Sequence, residues 1–211
     1  MRGMHRQLSD CGTQLSNGAR VLRLTFDTYV VLDIEPDDWV GEVMALRRRH
    51  DLLRAEYPVE ITLVGSSGVG CVAPENGVQR AIDVISALVA ETPPFEVRFA
   101  DVRRFPETNI YWLAPEPEPL IALHRQIAGS GLTFRSVPFA FTPHCTLVDL
   151  GAEPDAAAQA DVQGFPVPTS PVRFRTASVY MIDARRRPIR THTFALGTGR
   201  RCQGGAERHS F

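Results

Sequence analysis

The 211-residue sequence carries no excess of either charge: 23 basic and 24 acidic side chains leave a formal net charge of −1. Without a global basic field, a nucleotide or nucleic-acid partner has to be held by a local cluster of residues. Long apolar runs are absent as well. The first twenty residues are polar and lack the continuous apolar core of a secretion signal, and no later stretch reaches the roughly 20 residues that cross a bilayer. The four cysteines, Cys11, Cys71, Cys145 and Cys202, are scattered and form no CxxC pair. That pattern argues against a zinc site or a small disulfide framework and fits the reduced thiols of a cytoplasmic protein. There is no coiled coil, low-complexity tract or short-period repeat. Apolar residues at 44% and charged residues at 22% are ordinary for a globular chain, and the length suits one generous domain or two small lobes sharing a core.

What is present is an alternation of strand and helix patterns. Residues 1–20 read as a poorly ordered leader and 199–211 as a flexible tail, leaving one domain over 21–198. Residues 21–34 (VLRLTFDTYVVLDI) are rich in β-branched and aromatic side chains and predict a long strand or a hairpin. DIEPDD then opens a helix over 37–55, whose late run Arg47-Arg48-Arg49-His50 reads as a solvated face complementing the helix dipole. A strand over 59–64 is followed by GSSGVG, read as a flexible connector because it lacks the Lys-Ser/Thr ending of a P-loop. Apolar spacing of three and four predicts a helix over 75–90. Residues 95–105 and 110–114 predict a hairpin, 120–127 a helix, 139–150 a strand, 155–163 a helix, and 172–180 with 190–196 a closing pair of strands. The order amounts to a loosely duplicated α+β arrangement.

Two strands carry the chemistry. In FAFTPHCTLVDL, extended geometry sends His144 and Thr146 to one face and Cys145 and Leu147 to the other. In PVEITLVG, Glu60 and Thr62 likewise share a face opposite Ile61 and Leu63. The two pairs repeat in register, so side-by-side strands would bring four polar groups to one cleft. His5, His50, His124, His192 and His209 have no such context.

These residues resemble the 2H phosphoesterase superfamily, which contains the 2′-5′ RNA ligase-like proteins and cyclic nucleotide phosphodiesterases. Its signature is a pair of HxT or HxS tetrapeptides on two central strands. HCTL at 144–147, with its Phe-Thr-Pro lead-in, matches the second copy, and EITL at 60–63 matches the first with Glu60 where the family has histidine. The resemblance implies a two-lobed fold of pseudo-duplicated antiparallel sheets, with flanking helices around a central cleft.

It also implies a phosphodiesterase that opens a cyclic phosphate or cleaves a 2′-5′ linkage without metal or other cofactor, acting on a nucleotide, a cyclic phosphate or an RNA end. His144 and Glu60 would be the acid/base couple, each such group contributing about 10²–10⁴-fold in rate. Thr62 and Thr146 would donate to the non-bridging phosphate oxygens, whose charge grows in the transition state. Arg135 and Tyr180 are candidates for substrate contacts, and Tyr111 and Trp112 for base stacking. An ionised Glu60 would repel phosphate, so two alternatives stand beside the enzyme: a nucleotide- or RNA-binding member without turnover, and a Glu60/His144 couple acting on another small molecule.

Overall fold

The computed structural model describes residues 27–183, 187–197 and the backbone of 201–202. The expected leader, residues 21–26 of the first predicted strand and most of the expected tail lie outside the described residues. In chain order the elements are β1 (Asp27–Asp33), α1 (Asp38–His50), β2 (Glu60–Val64), α2 (Val78–Glu91), β3 (Phe95–Val97), β4 (Phe99–Arg104), β5 (Ile110–Pro115), α3 (Glu118–Ala128), β6 (Cys145–Asp149), α4 (Ala156–Gln163), β7 (Val172–Phe174), β8 (Thr176–Ile182), β9 (Pro188–Ala195) and β10 (Arg201–Cys202). A 3₁₀ turn, Arg54–Glu56, follows α1.

Local chemistry places the helices. The Asp37 carboxylate accepts the Asp38 N–H and opens α1, while Asp155 accepts the Ala158 N–H and opens α4. Helix α2 buries Ala81, Ile82, Ile85 and Val89, the spacing that defines one helical face. In α3, Leu120, Leu123 and Ile127 face inward with His124, and Gly129 ends the helix.

The strands form a five-stranded antiparallel sheet in the order β10-β9-β8-β1-β2, a three-stranded sheet β4-β5-β6, and a short β3-β7 pair. The fold is therefore α+β with two antiparallel sheets and flanking helices. The duplication is not two half-chains in succession. Strands β8 and β9 from the end of the chain return beside β1, so the larger sheet is built from both chain ends. The helices cross over too: α1 packs against β6 of the smaller sheet, and α3 packs against β2 of the larger one. Each motif strand thus rests on a helix from the other half of the sequence, which makes the two sheets one cooperative unit.

The pleat decides which side chains face the cleft. On β2, Ile61 and Leu63 are fully buried, while Glu60 and Thr62 on the opposite face are half-buried. The β1–β2 register sets Asp33 beside Glu60 and Val31 beside Thr62, and the β1–β8 register sets Tyr29 beside Tyr180. On β6, Cys145 and Leu147 enter the core.

Candidate functional site

The two motif strands do not pair by backbone hydrogen bonds. Each is the edge of its own sheet, β2 of the larger and β6 of the smaller, and the edges meet along a seam where β2 contacts β6. A cavity of about 410 Å³ opens there. Glu60, Thr62, His144 and Thr146 all line it, so the alternation read from the two stretches converges as expected.

His144 immediately precedes β6. Its Nδ1 lies 2.7 Å from the Thr142 carbonyl oxygen. A carbonyl only accepts, so Nδ1 carries the hydrogen and the neutral ring has its lone pair on Nε2. Phe105 and Trp112 meet the imidazole edge-on, with ring centroids 5.0 and 5.9 Å away. Burial in this apolar setting lowers the His144 pKa, against the Thr142 hydrogen bond, which raises it; the Arg54 charge lowers it further. Burial and the Arg54 charge both favour the neutral ring, which can accept a proton at Nε2.

Glu60 is moved the opposite way. Burial raises its carboxyl to about 7, although Arg54, the Thr62 hydroxyl and Arg47 all favour the ionised form. Thr62 Oγ1 donates to this carboxyl, 3.1 Å from each oxygen. Burial thus moves the two groups in opposite directions, with the carboxylic acid now able to hold a proton near neutrality.

Tyr180 also lines the cavity. Arg190 Nε donates to its hydroxyl at 2.5 Å, and Arg190 lies 3.6 Å from Asp33 Oδ1. Arg135, by contrast, is exposed and does not line the cavity. Its backbone N–H bonds to Cys71, and its carbonyl packs where a side chain on Gly70 (φ +82°) would sit. Tyr111 points into the core, and Trp112 is spent behind His144, stacked on Phe105 at 5.1 Å. Neither lines the cavity as a base-stacking platform. Tyr29, Tyr57 and Tyr180 line it instead.

The basic run at the end of α1 departs furthest from its sequence reading. Arg48 and Arg49 are exposed, but Arg47 is only 1% exposed. Its Nε donates to the Leu147 carbonyl at 3.0 Å and its Nη2 to that of Thr146 at 2.5 Å. Its Nη1 donates to the carbonyls of Tyr57 and Pro58 at 2.9 and 3.1 Å. One guanidinium thus joins β6 to the segment entering β2. The glycine-rich 65–70 loop is likewise tied down: Gly68 N–H donates to the Phe139 carbonyl, and His124, stacked on Phe141 at 3.8 Å, packs against Gly68. Arg54, on the 3₁₀ turn, lines the cavity and was invisible to periodicity because so short a turn has none. Cys145 is fully buried, and desolvation pushes its thiol up to about 12, which makes it inert.

Residues 35–188 match the model of the 2′-5′ RNA ligase superfamily. The chain belongs to that family. A Geobacillus kaustophilus protein, named provisionally as a phosphoesterase, is 32% identical over 118 residues, a match that spans 55% of this chain and 64% of that relative. Among solved structures, Escherichia coli LigT complexed with 3′-AMP superposes with a TM-score of 0.52 at 22% identity, over 81% of this chain and 98% of LigT. A Thermus thermophilus protein gives 0.57 at 14% identity, over 82% and 98% of the two chains. Both show the 2H phosphoesterase fold of two antiparallel sheets flanked by helices. No helix among the described residues is long and apolar enough to cross a membrane.

Proposed function

We propose that this member of the 2′-5′ RNA ligase superfamily is a metal-independent phosphodiesterase that opens a nucleoside cyclic phosphate or cleaves a 2′-5′ nucleotide linkage. The observation that carries this reading is the convergence on one cavity of His144, its Nδ1 held by the Thr142 carbonyl, and Glu60, whose carboxyl burial pushes up to about 7. Nε2 of His144 accepts a proton from the attacking water, and the Glu60 carboxylic acid returns one to the departing ribose oxygen. Water adds to phosphorus, the P–O bond to the ribose breaks, and the product is a phosphomonoester and a free hydroxyl. Thr62 and Thr146 donate to the non-bridging oxygens. To do so, Thr62 turns away from Glu60. A protonated Glu60 removes the repulsion that an ionised one would exert on the phosphate, and an anionic ligand pushes its pKa higher still. LigT structures exist with 3′-AMP, ATP and phosphate, which supports a nucleotide-type ligand for this cleft.

The decisive experiment is hydrolysis of a panel of nucleoside 2′,3′-cyclic phosphates in excess chelator, comparing wild type with His144→Ala. Wild-type turnover should survive the chelator, and the variant should lose about 10²–10⁴-fold. Equal turnover by both proteins rules the assignment out.

A second reading, nucleotide binding without turnover, is favoured by one contact, the engagement of the Thr62 hydroxyl by both Glu60 oxygens. It expects ligand affinity with no product, and hydrolysis appearing in Glu60→His.

A further inference from the structure

We infer that Arg54 is the cation that grips the substrate phosphate in this cleft, a role that rests on the phosphoester reading above. The sequence contains no lysine: all 23 of its basic residues are arginines. Every fixed positive charge is therefore a planar guanidinium, whose parallel N–H groups match two oxygens of one phosphate. Among the described residues lining the cavity, Arg54 alone carries such a charge.

Three neighbouring arginines are already committed. Arg47 is buried on four carbonyls, Arg49 pairs with Asp161 at 2.9 Å, and Arg190 is taken by Tyr180 and Asp33. Arg54 forms no ion pair among the described residues. Its guanidinium carbon stands 5.1 Å from the centre of the Tyr57 ring, an aromatic face that steadies a cation without neutralising it.

The 3₁₀ turn beneath it is held at both lips of the cleft. Asp51 Oδ1 accepts the Arg54 N–H, and Asp51 Oδ2 accepts the Asp149 N–H, each at 2.8 Å. That carboxylate faces the cavity but is spent on backbone donors, so it does not compete for the guanidinium. The charge is felt by both proton carriers, for Arg54 lowers the pKa of Glu60 and of His144. Arg47 and Asp33 are the other charged groups that bear on Glu60. A cation placed to act on the acid and the base at once lies where the phosphate between them has to sit.

The probe is inorganic phosphate, titrated calorimetrically into wild type, Arg54→Ala, Arg54→Lys and Arg135→Ala, alongside kcat and KM for a nucleoside 2′,3′-cyclic phosphate in chelator. Arg54→Ala should weaken phosphate binding and raise KM roughly 10- to 100-fold, the worth of a charge-assisted pair. Lysine should recover part of this, and Arg135→Ala should match wild type.

The pH profile supplies a readout that a merely structural turn would not move. Removing the charge lets the pKa values of both Glu60 and His144 rise, so both limbs shift to higher pH together. Unchanged phosphate affinity and KM in Arg54→Ala overturn the inference even if wild type turns over. Arg54-dependent phosphate binding in a protein that cleaves no cyclic phosphate upholds Arg54 and removes the hydrolytic reading. Should Arg54→Ala fold poorly, Arg54→Gln keeps the stem and an amide without the charge and decides the same question.

Discussion

At the scale of single residues, the proposed acid, Glu60, and the proposed base, His144, are distinguished by environment rather than by type. Glu60 must be protonated to donate, so its contribution is present below about 7 and is lost as pH rises through that value. His144 must be neutral to accept, so its contribution is lost as pH falls through a pKa depressed below the ordinary 6.5. The product is a bell with its maximum on the acid side of neutrality. Glu60→Gln keeps the shape but has no proton to give, and should lose the alkaline limb along with most of the rate. A profile of kcat/KM that keeps climbing above pH 8 in wild type would show that Glu60 acts ionised. The four residues at the centre were legible because β alternation is local: Glu60 with Thr62, and His144 with Thr146, share a face wherever their strands lie. Their pKa values were not, since these depend on Phe105, Trp112 and Arg54, which the fold alone brings near.

Among the elements, α1 does more than cover a sheet. Its C-terminal turn carries Arg47, whose guanidinium satisfies carbonyls on β6 and on the segment entering β2, and Asp51 follows with a second tie, to Asp149. Edge strands of two separate sheets have no ladder to fix their separation, so these side chains set the span between Glu60 and Thr146. Arg47→Met keeps the stem but leaves four carbonyls without this donor, and should cost on the order of 3 kcal/mol in urea unfolding. A loss under about 1 kcal/mol would mean water replaces the guanidinium without penalty. The sequence reading put Arg47 in solvent with its neighbours because three consecutive arginines on a helix end usually face water. Helical geometry already turns successive residues by about 100°, so one member of such a run can face inward. What selects Arg47 is the nearby set of carbonyls it donates to, which is assembled only after β2 and β6 meet. Arg135 is the converse case, a cation near the motif strand in sequence whose loop leads it away from the cavity.

Over the whole molecule, the exchange of helices between the halves places the cleft at the seam of two sheets, where Arg54 is the one guanidinium among the described residues lining the cavity. Several arginines outside it are matched with nearby acids, as in Arg49–Asp161, Arg103–Asp101, Arg175–Glu35 and Arg187–Asp183. The net charge of the whole chain is −1, so no global basic field adds to the charge of Arg54. A single-stranded RNA ending in a 2′,3′-cyclic phosphate should therefore be held by its terminal group. Each phosphate neutralised contributes a slope of about −0.7 to log affinity against log salt, so one or two contacts give a value near −1. Lengthening the RNA from a mononucleotide to a 10-mer should leave KM and this slope almost unchanged. The measurement is KM at several salt concentrations for both lengths. A slope of about −4 for the 10-mer, corresponding to six or so phosphates, would require a basic path beyond the cleft and would make the protein a reader of RNA chains instead of ends.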